Sequence, residues 1–307
     1  MQGFIHRRGF LKTCATLSAG AAGQMAISSM ATQVAAIEPI ARNGLPNFKF
    51  SLAAYSYRNL LSGHNATLTL PDFINDCAEM ALEGTELTSY YFPTPVTTDY
   101  LRILKAQCFR LGLDVSGTAV GNDFGHPPGE ARTQQIEALK RWIDFAEILG
   151  APVIRIFAGH LKPGTTPAQG HSLMVSAIEE CCEYAGQHGV FLALENHGGP
   201  TATGDGLLQF VRDVKSPWFG VNLDTGNFHT DDIYGDIARA APYALNVQVK
   251  AVVSGPNGKK QPTDFKRLAK ILREAHYRGY IVLEYEESGD PRQHCPRYIT
   301  QLREAFA

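Results

Sequence analysis

The sequence predicts an α/β protein built as a single (β/α)8 TIM barrel, and three observations carry that prediction. Short β-rich runs alternate with longer stretches of helical periodicity eight times, the pattern of a parallel sheet covered by helices. Eight such pairs fit into ~250 residues, the usual size of this barrel. An open doubly wound sheet, the competing fold, would carry a Gly-x-Gly-x-x-Gly turn after its first strand. None follows the run that ends near Tyr55.

The N-terminal segment is set apart from the barrel. His6-Arg7-Arg8-Gly9-Phe10-Leu11-Lys12 opens a weakly apolar stretch rich in Ala, Ser and Gly that ends near Val34-Ala35-Ala36. An arginine pair followed by such a stretch and a small-residue end reads as a twin-arginine export signal. Residues 1–36 are therefore expected to be a cleaved signal, 45–307 the barrel domain, and the mature protein periplasmic without stable membrane insertion.

Within the barrel domain, strands are expected over 49–55, 84–89, 114–119, 153–157, 190–195, 220–224, 245–250 and 280–285. Helices fill the gaps. Over 70–81, Pro71 suits a first helical turn and Gly84 a stop. Over 131–149, Ile136, Leu139, Ile143, Ala146 and Leu149 form one stripe that Gly150 ends. No internal domain boundary or low-complexity linker interrupts the series.

A chain of 307 residues, 44% hydrophobic and 19% charged, buries a large core and excludes a disordered or repeat-array protein. Its formal net charge of -2 leaves no electrostatic footprint for nucleic acid or an anionic membrane. A small neutral or weakly charged ligand is the easier partner. Five cysteines remain beyond the signal, Cys77, Cys108, Cys181, Cys182 and Cys295, an odd number without paired metal spacing. They are expected to pack in the core rather than to form a disulfide framework.

The chemistry is expected at four strand ends. Glu195, Asp224, Gln248 and Glu284 each close an apolar run, and the steps between them are close to one ~30-residue strand-plus-helix unit. Alternate side chains share a face in a strand, so Gln248 and Lys250 point together, as do Glu284 and Glu286. Buried carboxylates need a cation or several donors. One such group alone reads as a salt bridge closing the barrel mouth, but four on neighbouring strands read together as ligands of a shared positive centre.

These residues, together with Phe50-Ser51-Leu52 and Gly84-Thr85-Glu86-Leu87, resemble the xylose-isomerase-like barrel superfamily, in particular its sugar phosphate isomerase and epimerase branch. The resemblance implies one divalent ion held by strands five to eight, with Glu195, Asp224 and Glu284 in three ligand positions and Glu195 and Glu284 also serving as acid and base. Gln248 stands where the family has His, which would make the set all oxygen and favour Mn²⁺, with Mg²⁺ or Co²⁺ as alternatives. Asn227 and His229 follow Asp224 where the family often has His, and either is a candidate substrate contact.

Such a site would polarise a carbonyl and its adjacent hydroxyl, let one carboxylate take the neighbouring C–H proton, and return a proton to give an epimer or an isomer through an enediolate. Lys250 is a candidate to stabilise the enolate oxygen or act as acid, with a salt bridge to Glu284 or Glu286 as its plain alternative. Arg155, mid-strand, reads as a buried pair rather than an oxyanion clamp. His197 and His126 are candidate substrate contacts; Glu86 is expected to orient a ligand or to form an ion pair. Tyr57, Tyr91, Phe92 and Phe124 are expected to wall the mouth. The expected substrate is a free sugar, keto-sugar or related polyol. The alternatives are β-elimination on a 3-keto-glycoside and a non-catalytic sugar-binding barrel. The expected partners are that carbohydrate and the twin-arginine machinery, with no nucleic acid, and a homo-oligomer is left open.

Overall fold

The computed structural model describes residues 38–64, 66–255 and 258–307; the twin-arginine segment lies outside the described residues. Eight parallel strands close into a barrel. They are β1 (Asn47–Ala53), β2 (Gly84–Thr88), β3 (Asp114–Ala119), β4 (Val153–Ile156), β5 (Phe191–Glu195), β6 (Phe219–Asp224), β7 (Ala244–Val249) and, after a short hairpin of β8 (Val252–Ser254) and β9 (Lys260–Pro262), β10 (Arg278–Leu283). Their order around the barrel is β1-β10-β7-β6-β5-β4-β3-β2. Closure comes from Asn47 to Leu52 pairing in register with Arg278 to Leu283.

The helices begin and end where side-chain chemistry directs. α1 (Arg58–Leu61) is a single turn. α2 (Leu70–Glu79) starts with a capping box between Thr69 and Asp72 and has Pro71 in its first turn, so orphan N–H groups are met locally. It stops two residues short of the expected end, before Ala81, whose φ of 52° is left-handed. α3 (Thr98–Arg110) is capped by the Thr97 hydroxyl. α4 (Glu130–Leu149) buries the predicted stripe and ends on Gly150 at φ 83°, the left-handed stop that glycine supplies without strain. α5 (Pro167–Gln187) repeats the capping box with Thr166 and Gln169. α6 (Gly204–Asp213), α7 (Ile233–Ala240), α8 (Phe265–Glu274) and α9 (Pro291–Phe306) complete the ring.

Apolar burial lies between strands and helices, where Leu52, Leu87, Ile154, Leu192, Leu194, Leu223, Val247 and Leu283 all face outward and are fully enclosed. The five cysteines of the described residues are buried and unbridged. The barrel lumen is different. Ser51, Glu86, Ser116, Asn222, Asn246 and Gln248 are buried there, leaving a polar floor under the strand C-termini. The β8–β9 hairpin was not anticipated, because three-residue strands are too short to display an alternation. Among the described residues no helix is long and apolar enough to cross a membrane.

Candidate active site

The C-terminal ends of the barrel strands surround a cavity of about 330 Å³ lined by Tyr55, Tyr90, Arg155, Phe157, Glu195, His197, Asn227, Lys250, Glu284 and Glu286. Active sites of this fold occupy this face. A larger hollow of about 670 Å³ is lined by His160, His171, Gln209, Phe210 and mostly apolar neighbours. It lacks the convergent carboxylates, and we place the chemistry in the smaller cavity.

Lys250 follows β7 directly and sends its ammonium into a ring of carboxylates. Nζ is 3.3 Å from Asp224 Oδ2, 2.8 Å from Glu286 Oε1 and in contact with Glu284 Oε2. Its backbone N–H donates to the Thr225 hydroxyl and its carbonyl accepts from Thr263. On the other side of the cavity Arg155 Nε forms an ion pair with Glu195 Oε2 at 3.0 Å. The same guanidinium donates to the Val120 carbonyl at 2.7 Å and lies 4.0 Å from the Phe157 ring centre. Asn227 Nδ2 donates to the remaining Glu195 oxygen at 2.8 Å. Asp224 is held through its backbone by Asn196, which donates to the Asp224 carbonyl and accepts from its N–H.

The environments of the two glutamates push them apart. Burial raises Glu195 to about 7 even though Arg155 draws it down. Burial also works to raise Glu284, but the Lys250 ammonium outweighs it and holds this carboxyl below its ordinary value. Asp224 is raised by burial against the pull of Lys250. His197 packs on Phe157 with ring centres 4.3 Å apart, and burial followed by the nearby Arg155 charge lowers its pKa, so it presents a neutral imidazole. Two carboxyl groups of unlike ionisation facing one cavity are the usual arrangement for acid and base work.

The structure brings Glu195, Asp224, Lys250 and Glu284 together as expected, with His197 and Asn227 beside them. Gln248 is placed differently. It points into the lumen like Lys250 but lies two residues earlier, about 6.6 Å back along the strand, and both ends of its amide are committed. Nε2 donates to Glu86 Oε1 at 2.7 Å while Oε1 accepts from Asn222 at 2.6 Å. Asn246 Nδ2 closes the ring by donating to Glu86 Oε2 and to Asn222 Oδ1, each at 2.9 Å. Glu86 therefore belongs to the polar floor, and burial with the nearby Glu284 charge raises it to about 7.

Six other expected contacts do not line the cavity. Phe92 packs edge-on against Trp142 with ring centres 5.1 Å apart, and Tyr91 lies behind the Tyr90 ring, 6.2 Å away. Tyr57 is 1% exposed and packs edge-on against Phe73, its rings 5.1 Å apart. Phe124 is fully buried in the core. His126 turns toward Asp123, 4.0 Å away, and His229 is exposed, tied by its backbone N–H to Ala202; neither lines the cavity. Tyr55 and Tyr90 wall the mouth instead. Both lie on 3-10 turns that follow the strands, Ala54–Tyr57 and Ser89–Tyr91, where the strand alternation gives way to a three-residue period. Arg155 forms the buried pair expected of a lone arginine inside the apolar run of β4, with Glu195 as its partner.

The donor set does not fit the divalent ion that the resemblance implies. Glu195 has both oxygens met by Arg155 and Asn227, Gln248 is spent in the floor, and the point toward which Asp224 and Glu284 converge is held by the Lys250 ammonium. Among the described residues no group of three or more His, Cys, Asp or Glu side chains is arranged to hold a metal ion.

Comparison with known proteins fits this architecture. A curated relative, L-ribulose-5-phosphate 3-epimerase of Salmonella heidelberg, is 23% identical over 176 residues, covering 54% of this chain. The alignment spans 62% of that relative's length. Among solved structures, D-psicose 3-epimerase of Clostridium cellulolyticum superposes with a TM-score of 0.69 at 16% identity, over 84% of this chain and 99% of that one. The 3-keto-D-glucoside 4-epimerase of E. coli superposes with a TM-score of 0.65 at 18% identity, over 84% and 99%. At these identities the superpositions show the shared fold. Residues 74–304, most of the barrel, match the family described as xylose isomerase-like TIM barrel, and the chain belongs to that family.

Proposed function

We infer that the protein is a carbohydrate isomerase or epimerase that moves a proton next to a carbonyl through an enediolate. The observation that carries the reading is that Glu195 and Glu284, differently ionised, open with Arg155 and Lys250 onto one small cavity. Its volume of about 330 Å³ is at the small end of small-molecule sites, the scale of a single sugar ring. The names of the relatives, epimerases of a sugar phosphate, a free ketose and a keto-glucoside, support the same class.

In this reading one carboxylate removes the proton from the carbon beside the carbonyl, and the electron pair moves onto the carbonyl oxygen. The Lys250 ammonium and the Arg155 guanidinium offset the charge that develops there. A carboxyl group then returns a proton to carbon: to the opposite face for epimerisation, to the neighbouring carbon for isomerisation. Neutral His197 and the Tyr55, Tyr90 and Phe157 rings orient the sugar. The His6–Lys12 pattern supports a twin-arginine export route and, with it, a free sugar or keto-sugar rather than a phosphorylated one.

The test is incubation with a panel of ketoses and keto-glycosides in D₂O, following deuterium at the carbon beside the carbonyl by NMR. Exchange in the wild type, lost in Glu195→Gln and Glu284→Gln, supports the reading. Exchange accompanied by loss of a leaving group identifies the elimination variant of the same chemistry. Binding without exchange across the panel replaces it with a sugar-binding barrel.

A further inference from the structure

The cations in this cavity are built into the chain and held from several sides. A Cβ at Gly226 would lie 2.6 Å from Lys250 Cγ and 3.1 Å from its Cβ, so the lysine stem takes the space that a side chain on the β6–α7 connection would fill. Thr225 and Thr263 pin the Lys250 backbone on either side. The ammonium is held by its ion pairs to Asp224, Glu284 and Glu286. Arg155 is fixed between the Val120 carbonyl, the Phe157 ring and Glu195. Both side chains are buried to more than nine-tenths, and a buried cation with this many fixed contacts is preorganised.

We propose that Lys250 and Arg155 stand in place of a divalent ion, and that the site is a metal-independent one in which two fixed organic cations hold the negative charge of the substrate oxygen. The position between Asp224 and Glu284 is where a metal would be expected, and the ammonium occupies it. A divalent ion entering there would either face the ammonium at close range or displace a lysine held by three carboxylates and by two hydrogen bonds to its backbone. Gln248, the amide expected to complete a ligand set, cannot turn upward without leaving Glu86 and Asn222 unpaired. The chemical role of the two cations rests on the isomerase reading, whereas the closure of the site to metal does not.

The step balances without a co-reactant. A C–H bond breaks as its proton passes to a carboxylate, the electron pair moves to the carbonyl oxygen beside the two cations, and both return when a proton is delivered to carbon. No electron is gained or lost overall.

The experiment is a calorimetric Mn²⁺ titration of the full-length protein and of Lys250→Met, with deuterium exchange measured on chelated samples. The expected result is that Lys250→Met, with its carboxylates freed, binds Mn²⁺ at least about tenfold more tightly than wild type. Wild-type exchange should survive chelation and fall roughly 100-fold in Lys250→Met. If the variant does not fold, the wild-type titration decides by itself. One equivalent of Mn²⁺ bound by wild type and lost in Asp224→Ala overturns the proposal, as does exchange abolished by chelation and restored by Mn²⁺; the latter leaves the isomerase reading standing. Absence of exchange in every sample with the Mn²⁺ order as expected supports the closed site and removes the isomerase reading instead.

Discussion

Arg155 Nε stands 3.0 Å from Glu195 Oε2, with both side chains almost wholly buried, and this pair sets the ionisation of the cavity. Burial raises Glu195 to about 7 and Arg155 limits that rise. Glu284 stays ionised and can take the proton, whereas Glu195 is the group that carries a proton to return, so kcat/KM should fall as pH rises through about 7. The stability contribution runs the same way. With the folded value above the ordinary 4.5, the protonated carboxyl stabilises the fold fully below about 4.5, and that contribution is lost as pH rises through about 7. Arg155→Met should move the falling limb of the pH–rate profile upward and cost about 3–5 kcal/mol by stranding a buried carboxyl. A profile that does not move would show that Arg155 does not govern Glu195.

The polar floor predicts a different split. Gln248→Leu removes the partner of Glu86 Oε1 and of Asn222 Nδ2, at about 1–3 kcal/mol for each unpaired group. Gln248 does not line the cavity. Urea unfolding should therefore show the loss in full while kcat falls by no more than about tenfold, through the small displacements that a softened floor permits. A collapse of kcat with stability unchanged would place Gln248 in contact with substrate after all.

The contrast between Gln248 and Lys250 shows what the sequence makes legible. All eight barrel strands could be read, because each is a short apolar run closed by turn residues, and the end of a run locates the mouth. Glu195, Asp224 and Glu284 were found by that rule. The depth of a side chain below the mouth was not legible, since β7 places Gln248 and Lys250 on the same face and only the closed barrel shows which of them reaches the cavity. For Lys250 the sequence left a bridge to Glu284 or to Glu286 open, and the structure has both. The ring of Glu86, Gln248, Asn222 and Asn246 joins residues 24 to 162 positions apart, and no local pattern announces it. Tyr55 and Tyr90 were missed for Tyr57 because a 3-10 turn interrupts the strand period.

Gly226 provides a direct handle on Lys250. Its φ is outside the left-handed range, so the conformation itself tolerates alanine, and the obstacle is the lysine stem 2.6 Å from the added Cβ. Gly226→Ala should push Lys250 away from Asp224 and Glu284. The overpacking costs about 1–3 kcal/mol, whereas kcat should fall about 10- to 100-fold because the cation no longer sits at its position. Equal losses in kcat and in stability-limited active fraction would mean that the substitution merely unfolds the protein.

The two tyrosines of the first connection separate site from core. Tyr57 is buried, packs on Phe73, and makes a hydrogen bond with Asp76. Tyr57→Phe should therefore lower stability by about 1 kcal/mol and leave KM and kcat unchanged. Tyr55 lines the cavity and meets the Tyr90 ring edge-on at 6.5 Å, so Tyr55→Ala should raise KM with little change in unfolding. Melting curves beside steady-state kinetics for both variants decide it. A KM effect from Tyr57→Phe, or none from Tyr55→Ala, would mean that the sugar meets the β1 side of the mouth in a different place, and that the 3-10 turn does not set which ring faces it.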